Sequence, residues 1–383
     1  MSMPDTIAVG EAAPSRPPRV VLLLLALRKN GAVHLTVELA RRWAPYSARL
    51  AVLVRPFDDN VVTPAPEVQL VHLTSRPIRL RQALPVAVPR LAQQAHKAEV
   101  LVVGSEIGVE LIAGYVAARM ARRPFVIGVH ADLDDALQEW VPRRLHRLYY
   151  WVHRHADGAI CVAEALVDPL TRNGLAPEQV RVVRNGIDPP AIRRAADGPG
   201  NLVNGDLPVV VASGRLARQK GYDLLLEAHA RIVKDVPHRL LVLNDGPEAG
   251  ALQALAQSLG ITDSVQFAGA VRDPLPSVAR AQVFVLPSRH EGLPLALLEA
   301  LVLGVPVIAA DCSAGVRDAL DQGRVGELVP VGDVEALASA LASHLRDGTR
   351  ARERAKLGQA HALTFDGDAM AAGWAAALRD FTR

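Results

Sequence analysis

Sulfur and aromatic rings are both scarce in this chain. Only two cysteines, Cys161 and Cys312, occur in 383 residues. They lie far apart beside apolar runs, which counts against a disulfide framework or a zinc site and fits a reducing compartment. Aromatic residues make up 4% of a chain that is half apolar, so Ala, Leu, Val and Gly supply the bulk, as in helix-covered parallel sheets. Long hydrophobic runs are missing. The longest early one, Val20 to Leu27, is eight residues, against the roughly 20 that a membrane-spanning helix needs. It reads as a buried first strand rather than a signal peptide, because Asp5 and Glu11 precede it and no small-residue cleavage pattern follows. A cytoplasmic location is expected. Neither half carries G-x-G-x-x-G with a ribose-binding acid at the required distance, which argues against a dinucleotide-dependent oxidoreductase.

A chain of this length is expected to form two domains of roughly 150 to 200 residues. Short apolar runs at 20–27, 48–54, 100–103, 125–129 and 158–162 alternate with helical patterns. The second half repeats this at 208–213, 239–243, 264–267, 282–286 and 305–309. Such alternation implies parallel sheets with right-handed crossovers. Residues 185–208 concentrate Gly, Pro, Asn and Asp without periodicity, as a linker does. The expected division is a first α/β domain over 1–190, a linker over 191–207, a second α/β domain over 208–365 and a C-terminal helix over 366–383. In that helix Met370, Trp374, Ala377 and Leu378 share a face able to pack back on the first domain. Doubly wound domains bind ligands outside the carboxyl ends of their strands, so the site is expected in a cleft that both domains face.

Net charge is only +3, but it is unevenly placed. Up to Ala195 there are 25 Lys and Arg against 18 Asp and Glu, and beyond it 18 against 22. A basic first half suggests an anionic partner such as a phosphorylated substrate or a membrane surface, or else a solvated Arg-rich face.

The most informative stretch is "LPSRHEGLPLALLEALVLGVPVIAAD", Leu286 to Asp311. Gly292 and Pro294 suit the first turn of a helix that runs to about Leu303, with Gly304 as its cap. The free N–H groups around Gly292 to Leu295 would form an anion site. Glu291 stands just before that end and Glu299 lies within the helix. Carboxylates beside a phosphate would repel it, so these two are expected to face sugar and ribose hydroxyls. Spacing alone proves little, since sixteen glutamates give about 0.7 chance pairs eight apart. Glu327 and Glu335 form such a pair across a strand and turn, and are read as incidental.

The second informative stretch, "VVVASGRLARQKGYDLLLEA" (209–228), is a strand, a Gly turn, two cations five residues apart and a helix. Arg215 through its planar fork and Lys220 as a point charge could neutralise a diphosphate; alternatively they are surface cations on a loop.

With "VVRNGID", "GRLARQKGYDLLLEA", "LNDGPE", "FAGAV", "LPSRHEGLPLALLEAL" and "GVPVIAADCSAG" in this order, the chain resembles the retaining glycosyltransferases of the GT-B architecture, with two Rossmann-like domains facing a central cleft. The likeness covers nearly the whole chain and is strongest from Arg181 to Ala340. It implies transfer of a hexosyl group from a UDP- or GDP-linked sugar to a hydroxyl of a glycan, glycolipid or small-molecule acceptor, with retention and with no resident cofactor. Arg215 and Lys220 would hold the donor diphosphate and Glu299 the ribose. Glu291 would hold the transferred sugar, aided by the backbone of Gly292, Leu293, Pro294 and Leu295. In the first half, "LRKNGAVHLTVELA" resembles the Gly-rich loop over the donor, with Gly31 preceded by Asn30 where Gly is commoner. His130 in "FVIGVHADL" matches a histidine near the reacting centre, although such a histidine at the end of an apolar strand is by itself more often structural.

Asp132-x-Asp134 looks like a metal-binding acid pair, but it opens a helix, where acids are favoured without any metal; no metal is expected, and no nucleic-acid partner. An epimerase or phosphorylase of the same architecture and a non-catalytic sugar-nucleotide-binding protein stand as alternatives. Finally, "RPIRLRQALPVAVPRLAQQAHK" (76–97) interleaves Arg76, Arg79, Arg81 and Arg90 with apolar residues. It is expected either to touch an anionic membrane at the inner face or to form a solvated loop, and Pro77, Pro85 and Pro89 argue against one long helix.

Overall fold

The computed structural model describes residues 17–28, 31–46, 48–55, 61–75, 79–199 and 206–382. Asn30, Arg76, Pro77 and part of the expected linker lie outside them. The chain divides into two compact units, one of Met1–Gly186 with Asp366–Arg383 and one of Ile187–Phe365.

The first unit is a seven-stranded parallel sheet: β1 (Val20–Leu24), β2 (Arg49–Val52), β3 (Gln69–His72), β4 (Val100–Val103), β5 (Phe125–Val129), β6 (Gly158–Cys161) and β7 (Val180–Val182). The strand order is β3-β2-β1-β4-β5-β6-β7, and Val20 pairs with Val100 as Val21 pairs with Arg49. Every residue of β1, β4, β5 and β6 is buried, as expected of strands covered on both faces. The final helix, Gly367–Phe381, belongs to this unit and buries Met370, Trp374, Ala377 and Leu378.

The second unit has six parallel strands: β8 (Val209–Ser213), β9 (Arg239–Leu243), β10 (Val265–Phe267), β11 (Val283–Leu286), β12 (Val307–Ala310) and β13 (Glu327–Val329). The order is β10-β9-β8-β11-β12-β13. In both sheets the order reverses beside the first strand, and this switch point opens a crevice at the carboxyl ends of the strands.

Two local expectations are corrected. The aperiodic stretch 185–208 contains a helix, Pro189–Ala196, whose N-cap Asp188 accepts from the Ala191 N–H at 3.0 Å; Pro at its first two positions needs no intrahelical acceptor. The basic segment forms one helix, Leu80–His96, despite Pro85 and Pro89. Each proline removes a bond to the carbonyl four residues back, here on Arg81 and Pro85. Those residues are exposed and water can serve them, while Ala83, Ala87, Leu91 and Ala95 are buried and hold the helix by packing.

Candidate active site

In the second unit the residues singled out from the sequence sit on the loops that follow β8 and β11 and on the helix beyond the second of these loops. After β8 the chain makes a single turn, Arg218–Lys220, that ends at Gly221 with φ +66°. A Cβ there would lie 2.1 Å from the Pro287 carbonyl oxygen, so glycine is required and the turn can lie directly on the loop after β11. Lys220 is thereby delivered to that loop. Its Nζ donates to Glu291 Oε1 at 2.6 Å, and Ser288 Oγ donates to the same oxygen at 2.6 Å. The Glu291 side chain is only 7% exposed, so burial with two donors fixes its position.

The same two loops are bound together twice more. Arg289 forms a bidentate pair with Asp223, at 2.8 and 2.6 Å; burial pushes the Asp223 carboxyl up, but this pair with nearby backbone N–H groups outweighs it and holds the carboxyl below its usual range. Gln219 exchanges bonds with the other loop, donating to the His290 carbonyl and accepting from the Arg289 N–H.

Beyond Glu291 the chain enters the helix Leu295–Val302. Pro294 is its N-cap rather than a residue of the first turn, with φ −74° and ψ 117°, and it has no N–H to offer. The helical N–H groups without an acceptor in the helix are thus those of Leu295 and Ala296, so Ala296 joins the expected donor set and Pro294 leaves it. The helix ends at Val302, and Gly304 takes φ +70°, as a left-handed cap should. Glu299 lies one turn beyond Leu295 and shares its face. Burial, then the charge of Asp273, pushes its carboxyl up to about 7.

Two supports were not singled out from the sequence. Gly315 lies so close to Gly292 that a Cβ would sit 2.0 Å from the Gly292 carbonyl, to which Ser313 Oγ donates at 3.1 Å. Gly246, in "NDGPE", leaves room for the backbone of Leu216, whose carbonyl would be 2.3 Å from a Cβ; Leu216 N–H also donates to the Asp245 carbonyl at 3.1 Å. Arg215 is exposed on the loop so held. Cys312, following β12, is pushed up to about 12 by burial and then by the Glu291 carboxylate, so its thiol stays protonated.

In the first unit Gly31 opens the helix Gly31–Arg42 with open space where a Cβ would be; its neighbours do not demand a glycine. His130 directly follows β5 and lines a small cavity with Thr36, Gly104, Asn185 and Trp374. Burial lowers its imidazole to about 4, and neither ring nitrogen has a hydrogen-bond partner among the described residues. Its backbone N–H donates to Glu106 Oε2 at 3.2 Å. Glu106 and Glu110 are both raised to about 7, chiefly by burial. Asp132 caps the helix Leu133–Trp140, accepting from the Asp134 and Asp135 N–H groups, while Asp134 accepts from Tyr150 Oη at 2.7 Å. Among the described residues no group of three or more His, Cys, Asp and Glu is placed to hold a metal ion.

Comparison with known proteins decides the family. Residues 29–190 match the family described as Glycosyltransferase Family 4, and residues 194–362 match Glycosyl transferases group 1. Alpha-maltose-1-phosphate synthase of Mycolicibacterium smegmatis is 32% identical over 277 residues, covering 63% of this chain and 69% of that protein. The chain belongs to the GT-B glycosyltransferases. The lipopolysaccharide core biosynthesis glycosyltransferase LpsE of Rhizobium meliloti is 29% identical to this glycosyltransferase, over 84% of this chain and 87% of LpsE. An exopolysaccharide phosphotransferase of Streptomyces coelicolor is 35% identical over 43% of this chain, which spans only 18% of that protein. In fold, Anabaena HepE in complex with UDP-glucose superposes with a TM-score of 0.74 at 20% identity, over 92% of this chain and 96% of HepE. Among the described residues of the glycosyltransferase no helix is long and apolar enough to cross a membrane.

Proposed function

We propose that this glycosyltransferase moves a hexosyl group from a UDP- or GDP-linked sugar to an acceptor hydroxyl with retention at the anomeric carbon, and that it does so without a metal ion. The observation that carries the reading is the convergence of Lys220 and Ser288 on Glu291 at the start of the Leu295–Val302 helix. A cation, a fixed carboxylate and two outward N–H groups then stand together. Such a set suits a sugar bearing hydroxyls on one side and a diphosphate on the other.

In this reading Arg215, Lys220 and the N–H groups of Leu295 and Ala296 bind the diphosphate. Glu299 accepts from the ribose hydroxyls. Glu291 uses the lone pairs left by Lys220 and Ser288 to accept from hydroxyls of the transferred sugar, with Gly292 and Leu293 contributing backbone. In the first unit Gly31 and His130 are the further candidates that the family likeness supplies, His130 as a neutral imidazole. As the bond from the anomeric carbon to the diphosphate oxygen breaks, negative charge grows on the leaving group and the sugar becomes oxocarbenium-like. Preorganised cations and N–H groups stabilise that charge. The acceptor hydroxyl attacks from the face the diphosphate leaves, and its proton passes to the departing phosphate oxygen. The acceptor is a glycan, glycolipid or small molecule made in bacterial glycan assembly, a reading supported by LpsE.

The test is a thermal-shift panel of UDP-, GDP- and ADP-sugars, followed by turnover of the stabilising donor in EDTA and anomeric analysis of the product by NMR. Donor-specific stabilisation with an α-linked product from an α-linked donor is expected. Full dependence on added Mn²⁺, an inverted product, or turnover that requires inorganic phosphate would overturn the reading.

A further inference from the structure

Seven of the eleven large apolar side chains exposed among the described residues lie between Val86 and Trp151, all in the first unit. Scattered ones need no explanation, whereas a contiguous patch does. The helix His146–Arg154 buries Tyr149, Val152 and His153 and turns Leu148 and Trp151 outward at 39% and 47% exposure. Leu145, one turn before Leu148, is exposed too, as is Trp140. Trp151 packs edge-on against Tyr115 at 5.2 Å between ring centroids. Tyr115 lies on the neighbouring helix Val109–Ala121, which itself exposes Val116 and Met120.

Charge accompanies this ridge. From Trp140 to His155 there are four arginines, Arg143, Arg144, Arg147 and Arg154, and no acid. Arg143, Arg144 and Arg147 are exposed and form no ion pair among the described residues. Arg147 and Trp151 are neighbours at i and i+4 on the outer face. The expected basic segment 76–97 is less suited, since Arg90 is committed to the Leu73 carbonyl at 2.9 Å.

We propose that this face docks the protein on an anionic lipid surface. Trp140, Leu145, Leu148 and Trp151 enter the headgroup level, where tryptophan is favoured, and Arg143, Arg144 and Arg147 pair with lipid phosphates. A second copy of the chain is a poorer occupant, because a two-fold interface sets a patch against itself and would oppose arginine with arginine. The inference does not depend on which donor the enzyme takes.

The experiment is sedimentation of the full chain with vesicles of phosphatidylcholine alone or mixed equally with phosphatidylglycerol, at low and high salt, read together with tryptophan emission. Trp43 and Trp374 are buried within the protein, so a blue shift on binding reports Trp140 and Trp151. Capture by the anionic vesicles alone, released by salt and accompanied by the blue shift, is expected. Replacing Arg143, Arg144 and Arg147 together by Gln should weaken partitioning on the order of a hundredfold. The Leu148→Ser, Trp151→Ser double variant should lose capture, with an unfolding midpoint close to that of the unaltered protein. Arg79→Gln with Arg81→Gln should leave capture in place. Absence of capture at low salt, or capture that survives both patch variants, would overturn the proposal. So would a patch whose removal only turns a dimer into a monomer.

Discussion

Lys220 and Glu291, 71 residues apart in sequence, meet at 2.6 Å between Nζ and Oε1. A partly exposed lysine on a mostly buried glutamate is more than a surface ion pair, which contributes little. Removing either partner leaves the other charge in a poorly solvated place, and the turn after β8 loses one of its ties to the loop after β11.

The two glutamates are assigned different hydroxyls, and their variants should separate. Glu299→Gln should weaken binding of the free nucleoside diphosphate, whereas Glu291→Gln should leave it nearly intact and lower sugar transfer. Because burial holds Glu299 up near 7, its carboxylate forms only as pH rises through that value. Nucleotide affinity should therefore increase from pH 6 to pH 8 more steeply in the parent enzyme than in Glu299→Gln, where only the ionisation of the nucleotide's own terminal phosphate remains. Calorimetric titration across that range checks both, and equal loss of nucleotide affinity in the two variants contradicts the division.

Gly221 and Gly250 predict opposite signs for the same substitution. At Gly221 the left-handed backbone and the Pro287 carbonyl make Ala cost roughly 1–3 kcal/mol, and Lys220 should be displaced, lowering turnover as well. Gly250 lies within the helix Ala249–Ser258 with open space where a Cβ would go, so Ala there should stabilise by roughly 0.5–1 kcal/mol. Denaturant unfolding of the two variants measures the pair.

Much of this was legible in sequence. Nine of the strands announce themselves as apolar runs because they are interior to sheets covered on both faces, and the edge strand β10 does so through Val265 and Phe267. The three that do not, β3, β7 and β13, are sheet edges carrying Gln69, Arg181 and Glu327, where one side of the strand meets water. The prolines of Leu80–His96 misled because local propensity was outweighed by the buried alanine stripe. Lys220 and Glu291 could be associated only through resemblance, since nothing local in either stretch points to the other. The pairing of Glu106 with the His130 backbone had no sequence signal beyond an acid set in an apolar context.

Buried histidines should make the fold acid-sensitive. His229 Nδ1 lies 2.8 Å from His238 Nε2, and His229 Nε2 lies 2.8 Å from Ser264 Oγ. Burial, then the neighbouring His238, lowers the His229 imidazole from 6.5 to about 3. The folded state keeps it neutral while the unfolded chain protonates it below 6.5. Its contribution is thus complete above pH 6.5 and is lost as pH falls toward 3. The carboxyls of Glu106, Glu110 and Glu299 act in the opposite sense, since their raised values favour the fold at low pH and that contribution is lost as pH rises through about 7. The difference between the parent and His229→Gln isolates the histidine: it should shrink as pH falls from 6.5, by up to about 1.4 kcal/mol per pH unit. Urea unfolding over that range reads it, and a constant difference contradicts it.

The central claim is that Arg215 and Lys220 stabilise charge on the leaving diphosphate. The most direct measurement is single-turnover transfer from the donor sugar by Arg215→Ala and Lys220→Ala, at saturating donor and in EDTA. The account predicts a loss of at least about a hundredfold in the chemical step for each, with the fold intact by circular dichroism. Near-parent rates in both variants would contradict it.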